Sequence, residues 1–166
     1  MGLYRPSRNL EASTIERIET ILRENHYSNV TVEKTFSRVY NTTLNPDEGN
    51  AIICIRCGDT DHDRIEIGSN STTRKPLILI DLFCTSDGQR LDLKDLLISE
   101  LKNGYDYYGY TIDNGKVQER DLKGRIIVTI ADTPINFGIT DKTTLDIHDK
   151  YRHLISLDTE LNLIEE

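Results

Sequence analysis

Apolar positions along this chain recur with two periods, and the changes between them divide it into elements. Ile15, Ile18 and Leu22 stand at helical spacing. Ser13-Thr14-Ile15-Glu16 just ahead of them fits a capping box, with Ser13 as N-cap and Glu16 reaching back. The pattern predicts a helix over 13–25, with an earlier start near Asn9 left open. From Val30 to Tyr40 the residues Val30, Val32, Lys34, Phe36, Arg38 and Tyr40 alternate, predicting a strand with one mostly apolar face. Thr42–Asn50, with Pro46 and Gly49, reads as a loop. Ala51–Cys57 reads as a second strand and Arg64–Ile67 as a short third.

The densest apolar run is Leu77-Ile78-Leu79-Ile80-Asp81-Leu82-Phe83-Cys84, apolar on both faces as a central strand requires. Asp87-Gly88 reads as a turn. Leu93, Leu96, Leu97, Glu100 and Leu101 then share one helical face, and Gly104 is the expected stop. A Tyr-rich strand follows at 105–112, a turn at Asp113-Asn114-Gly115, and a further strand over Gly124–Ala131. Val117–Leu122 is expected to lengthen that connection beyond a simple hairpin. Beyond Asp132, Leu154, Leu157, Leu161 and Ile164 are spaced for one side of a short helix. The fold class is thus α+β: a mostly antiparallel sheet of about five to seven strands against two helices, with extended loops and a C-terminal tail. Residues 1–131 are expected to form one domain with an arm at 1–8, and 132–166 an extension packing on the domain or on a neighbour.

Composition narrows the function. The chain has 166 residues, enough for one core. No apolar run approaches the ~20 residues of a membrane span, and no signal peptide is evident, so a cytoplasmic origin is expected and no membrane partner. The net charge of −8, with basic residues scattered among acids, argues against a dedicated nucleic-acid-binding module.

Four constellations invite chemistry. Cys54, Cys57 and His62 reproduce part of a zinc-knuckle spacing, but the fourth position is Ile67, and cysteines three apart on a strand face opposite ways. Buried free thiols are the expectation. Asp59, Asp61 and Asp63 resemble the start of a calcium loop whose sixth and twelfth positions are here Arg64 and Asn70, so a solvated turn between strands is expected. Asp81 followed by Asp92-Leu93-Lys94 resembles the acids and lysine of metal-dependent nucleases. Those enzymes carry the acid-x-Lys pair on a strand; here Asp92 and Lys94 fall on a helix, where two steps turn side chains about 200° apart. Asp92 is read instead as a helix-start acid favoured by the dipole. Tyr105, Tyr107, Tyr108 and Tyr110 are read as core or interface residues. The histidines 26, 62, 148 and 153 are scattered. No catalytic, cofactor-binding or metal residue is assigned, and a non-enzymatic protein is expected.

The order helix, strands, central strand, turn, helix, strands, with IDLFCTSDGQRLDLKDLLISELKNG and the Tyr-rich strand after it, resembles the tail-terminator and head–tail connector (neck, tail completion) proteins of tailed bacteriophages. The resemblance covers residues 10–131. It implies a structural virion protein, assembled in the host cytoplasm, forming a homo-oligomeric, usually hexameric, ring at the head–tail junction. Such a ring joins the tail tube to the connector and leaves a channel through which DNA passes without specific binding. Residues 1–8, 41–50 and 133–166 are the candidate arms for its contacts. The alternatives are a metal-dependent nuclease using Asp81, Asp92 and Lys94, and a cytoplasmic adaptor that binds peptides at a sheet edge.

Overall fold

A computed structural model describes residues 2–64, 72–135 and 145–164; the side chains of 59–64 and 72–74 lie outside that description. The elements run β1 (Gly2–Leu3), α1 (Pro6–Glu24), β2 (Val30–Glu33), α2 (Phe36–Asn41), β3 (Ala51–Arg64), β4 (Thr72–Cys84), α3 (Asp87–Leu101), β5 (Tyr105–Asp113), β6 (Lys116–Pro134), α4 (Ile147–Lys150) and β7 (Tyr151–Leu163). The strands form one seven-stranded sheet in the order β1-β5-β6-β7-β4-β3-β2, curled into a half-barrel against α1 and α3. Only β2 and β3 pair in parallel; every other pairing is antiparallel.

Burial follows the pleat. Ile78, Ile80, Leu82 and Cys84 on β4 point to the same side as Ile53 and Ile55 on β3 and Ile155 and Leu157 on β7. They pack against Leu10, Ile18 and Ile21 of α1 and Leu93, Leu97 and Leu101 of α3. The other side of the sheet carries a smaller cluster, Ile52, Cys54 and Phe83, covered by Val39 of α2 and Leu44. Helix α3 starts on Ser86, whose hydroxyl accepts the Gln89 N–H. It ends before Gly104, whose φ of +81° lets the chain turn into β5. The expected α3 face, its glycine stop and the doubly buried β4 core are all present. Asp87-Gly88, however, is the first turn of α3 rather than a separate turn, which makes Asp87 the helix-start acid and places Asp92 in the body of the helix.

Five other expectations are corrected. The Val30–Tyr40 strand stops at Glu33, because Thr35 caps a helix (its Oγ1 accepts the Arg38 N–H) that carries Phe36 and Val39 over Phe83. Helix α1 begins at Pro6, so Ser13 is not its N-cap and Pro6–Arg8 are not an arm; proline at the first position needs no N–H partner. Residues 59–64 continue strand β3 rather than forming a turn; the short third strand expected at Arg64–Ile67 lies, beyond Arg64, outside the described residues. Asn114 (φ +51°) and Gly115 (φ +77°) make a two-residue hairpin, and β6 runs unbroken from Lys116.

The largest correction is the tail. Residues 151–163 form strand β7, inserted between β4 and β6, not a helix or an extension beyond the domain. Its buried residues, His153, Ile155, Leu157 and Thr159, alternate. The 154/157/161/164 spacing mixes residues from both faces and matched a helix by coincidence. The end of β7 is seated by a bulge at Lys123, whose carbonyl accepts the Ile164 N–H. Gly124 beside it leaves room for the close approach: a Cβ there would lie 2.8 Å from the Leu163 Cα.

Candidate functional site

Asp81, the residue that most invited chemistry, is enclosed. It is 1% exposed on β4, on the same side of the sheet as Phe83. Its Oδ2 accepts from Arg56 Nη2 at 2.9 Å. Its Oδ1 accepts from Arg152 Nη2 at 2.9 Å and Nε at 3.3 Å. Both guanidiniums lie against the Phe36 ring, at 4.2 and 5.2 Å from its centroid. Helix α3 packs on the opposite side of the sheet, its Leu93 in the same core cluster as Ile80 and Leu82. Asp92 is exposed there, and Lys94 sits 3.5 Å from both Asp95 and Asp132. The sheet therefore separates Asp81 from Asp92 and Lys94, and the three do not meet.

The cysteines behave as their strand positions require. Cys54 belongs to the smaller cluster, while Cys57 packs on the main core across the sheet. Burial raises all three thiols: Cys54, with the Asp81 charge adding to it, to about 11, Cys84 to about 12, and Cys57 in the same direction. They are protonated, unreactive groups at neutral pH. The His62 side chain and those of Asp59, Asp61 and Asp63 lie outside the described residues. Among the described residues no group of three His, Cys, Asp or Glu side chains is placed to hold a metal ion.

Nothing in the spacing of Arg90, Asp132 and His153 points to their meeting, yet they form one polar network. His153 is 2% exposed; its Nδ1 lies 2.8 Å from Arg90 Nη1 and its Nε2 2.7 Å from Asp132 Oδ2. Arginine can only donate, so Nδ1 accepts and Nε2–H donates to Asp132, which settles the neutral tautomer. Burial pulls His153 below the usual imidazole value despite Asp132. The His153 hydrogen bond holds the Asp132 carboxyl below its usual range. The network ties the start of α3 to β6 and β7, and both ring nitrogens are occupied.

The sheet's two ends differ in how their strands are covered. Along β5, Tyr108 N–H donates to Ser13 Oγ at 3.0 Å and Tyr110 N–H to Asn9 Oδ1 at 3.2 Å. The Tyr110 carbonyl accepts the Tyr4 N–H, and β1 pairs with Thr111 and Ile112. Below them the Tyr105 hydroxyl meets Thr14 at 2.7 Å, and the Tyr110 hydroxyl donates to Glu16 at 2.6 Å. The tyrosines thus join α1 to β5, whose outer side is covered by α1 side chains and by the two-residue strand β1. Burial raises both phenols above their ordinary value.

At the opposite edge no strand lies beyond β2 among the described residues. Thr31 is exposed there, beside a groove of about 690 Å³ floored by Leu22, Tyr27, Val30 and Val32. The hairpin of β5 and β6 projects beyond the core: residues 116–123 are all exposed, including Val117 (48%) and Leu122 (52%). No protein-family model matches the chain, and no curated protein matches it.

Proposed function

We propose that this protein is a structural subunit that assembles head-to-tail into a ring at the junction of head and tail in a tailed bacteriophage, as a tail terminator or neck protein. The observation that carries the reading is the inequality of the two sheet edges: β5 is closed by α1 side chains, and β2 is open beside an apolar groove. An open strand edge is a template for another chain. Where that edge meets a different surface of the neighbouring subunit the contact is heterologous, and such contacts close into rings when the rotation allows. The projecting β5–β6 hairpin, with Val117 and Leu122 exposed, supplies a second surface suited to a neighbour. A net charge of −8 suits a ring through which DNA slides, because few phosphates find cations. In this reading the protein carries no catalytic site, and its partners are further copies of itself, the tail tube and the connector.

The test is native mass spectrometry and electron microscopy of the full chain, alone and mixed with tail-tube and connector proteins. Rings of identical subunits are expected, six by the family resemblance. A chain that stays monomeric in both conditions is not a ring subunit.

The open β2 edge also favours a second reading, a cytoplasmic adaptor that takes an extended peptide as an added strand. A one-to-one peptide complex without rings would select it. The nuclease reading needs Asp81, Asp92 and Lys94 around one ion, whereas Asp81 has both oxygens taken by arginines on the other side of the sheet from α3. Magnesium-dependent DNA cleavage abolished by Lys94→Ala is the result that would restore it.

A further inference from the structure

A groove of about 510 Å³ runs between α1 and the β5–β6 hairpin, and its charge is opposite to that of the chain. Ser13, Arg17, Thr20 and Arg23 form its helical wall at a three-to-four residue spacing. Arg120 and Arg125 stand on the facing strand. Against these four guanidiniums the groove holds two carboxylates, Glu16 and Asp106, so it carries an excess of positive charge in a chain of net charge −8.

The strand-side arginines are held in place. Arg120 pairs with Glu16 and stacks 4.1 Å over the Tyr108 ring. Arg125 reaches Asp106 at 3.3 Å and donates to the Asn103 and Gly104 carbonyls at 3.1 and 3.3 Å. A guanidinium has five donors, so each of these keeps N–H groups for a further acceptor. The helix-side pair is freer: Arg17 reaches Glu100 only at 3.4 Å, and Arg23 has no ion-pair partner among the described residues. By contrast, Arg56 and Arg152 elsewhere in the molecule are committed to buried Asp81.

We infer that this groove binds an acidic, extended peptide segment of a partner protein. The ten helical steps from Ser13 to Arg23 span about 15 Å, the length of four or five residues of extended chain. Alternate side chains of such a chain point the same way at about 7 Å intervals, so its carboxylates are spaced to meet separate guanidinium forks. A compact polyphosphate would instead concentrate its charge beside Glu16 and Asp106, which remain in the groove. The inference does not rest on the ring reading, since any partner with an acidic segment would serve.

Fluorescence anisotropy of a fluorescein-labelled hexaglutamate peptide with the full chain at low salt tests it. Saturable binding is expected, weakening as salt rises, with no binding of a hexaglutamine control. The double variant Arg17→Glu/Arg23→Glu should bind at least about tenfold more weakly while keeping the native circular dichroism spectrum. Thr20→Glu, which removes no arginine but sets a carboxylate between Arg17 and Arg23, should weaken binding in the same direction and serves if the double variant fails to fold. The inference is overturned if hexaglutamate does not bind or if the folded variants bind it equally well. It is also overturned if pyrophosphate binds more tightly than the peptide and displaces it, which would mark a phosphate site.

Discussion

Asp81 shows how a single side chain can invite one reading and do another job. An acid in the middle of an apolar strand is a candidate metal ligand on sequence grounds; in the fold it is the shared partner of Arg56 and Arg152. Removing it leaves two guanidiniums facing each other at the sheet surface. Asp81→Ala is expected to cost about 3 kcal/mol in urea unfolding, toward the low end for a buried pair because both arginines retain access to water. An unchanged midpoint would show that the cluster contributes nothing net. His153 sets a pH dependence. Its folded pKa lies below the ordinary 6.5, so the unfolded chain takes up a proton that the folded chain refuses. This contribution is fully present above pH 6.5 and is lost as pH falls through the depressed folded value. The lowered Asp132 carboxyl acts in the same direction, but only in the carboxylate range below. Melting temperature should therefore fall between pH 7 and pH 5, and His153→Gln should lose that part of the slope. Neither residue's role was legible beforehand, because Arg56, Asp81 and Arg152, like Arg90, Asp132 and His153, come together only through strand pairing.

Among the elements, those with strong internal signals were legible. Strand β4 is buried on both faces, and α3 has leucines at turn spacing and a glycine stop, so propensity and packing agree; its start on Ser86 was not legible, because Asp87-Gly88 reads equally well as a turn. The elements that misled depend on neighbours. Strand β6 leaves the core at its hairpin end and is exposed on both faces there, so no alternation marks it. Helix α1 has polar Asn9 and Ser13 where a helical face should be apolar, because those side chains close the β5 edge. That closure is testable. In the Asn9→Ala/Ser13→Ala variant the Tyr108 and Tyr110 amides lose their acceptors, at about 1 kcal/mol each. Faster hydrogen exchange at those two amides and self-association seen by light scattering are the expected outcomes. Unchanged exchange would mean that the edge is closed by other means.

Taken as one body, the protein is a curled sheet with β5 covered by α1 and the short β1 at one side, β2 open at the other and a projecting hairpin, and its proposed assembly depends on the open β2 edge. Thr31→Lys places a charge on exposed β2, a natural way of blocking an edge. It should abolish ring formation in native mass spectrometry while changing stability by less than about 0.5 kcal/mol, as surface substitutions do. Rings that form normally would move the contact elsewhere. The α+β class, the central β4 strand and the α3 helix follow from local periodicity, capping and turn chemistry, which act over a few residues and are written in them. The place of β7 in the middle of the sheet, the arginine partners of Asp81, the closed β5 edge and the arginine groove depend on pairings between distant segments. Hydrogen-bond register and pleat bring those segments together, and no local pattern along the chain records which ones will meet.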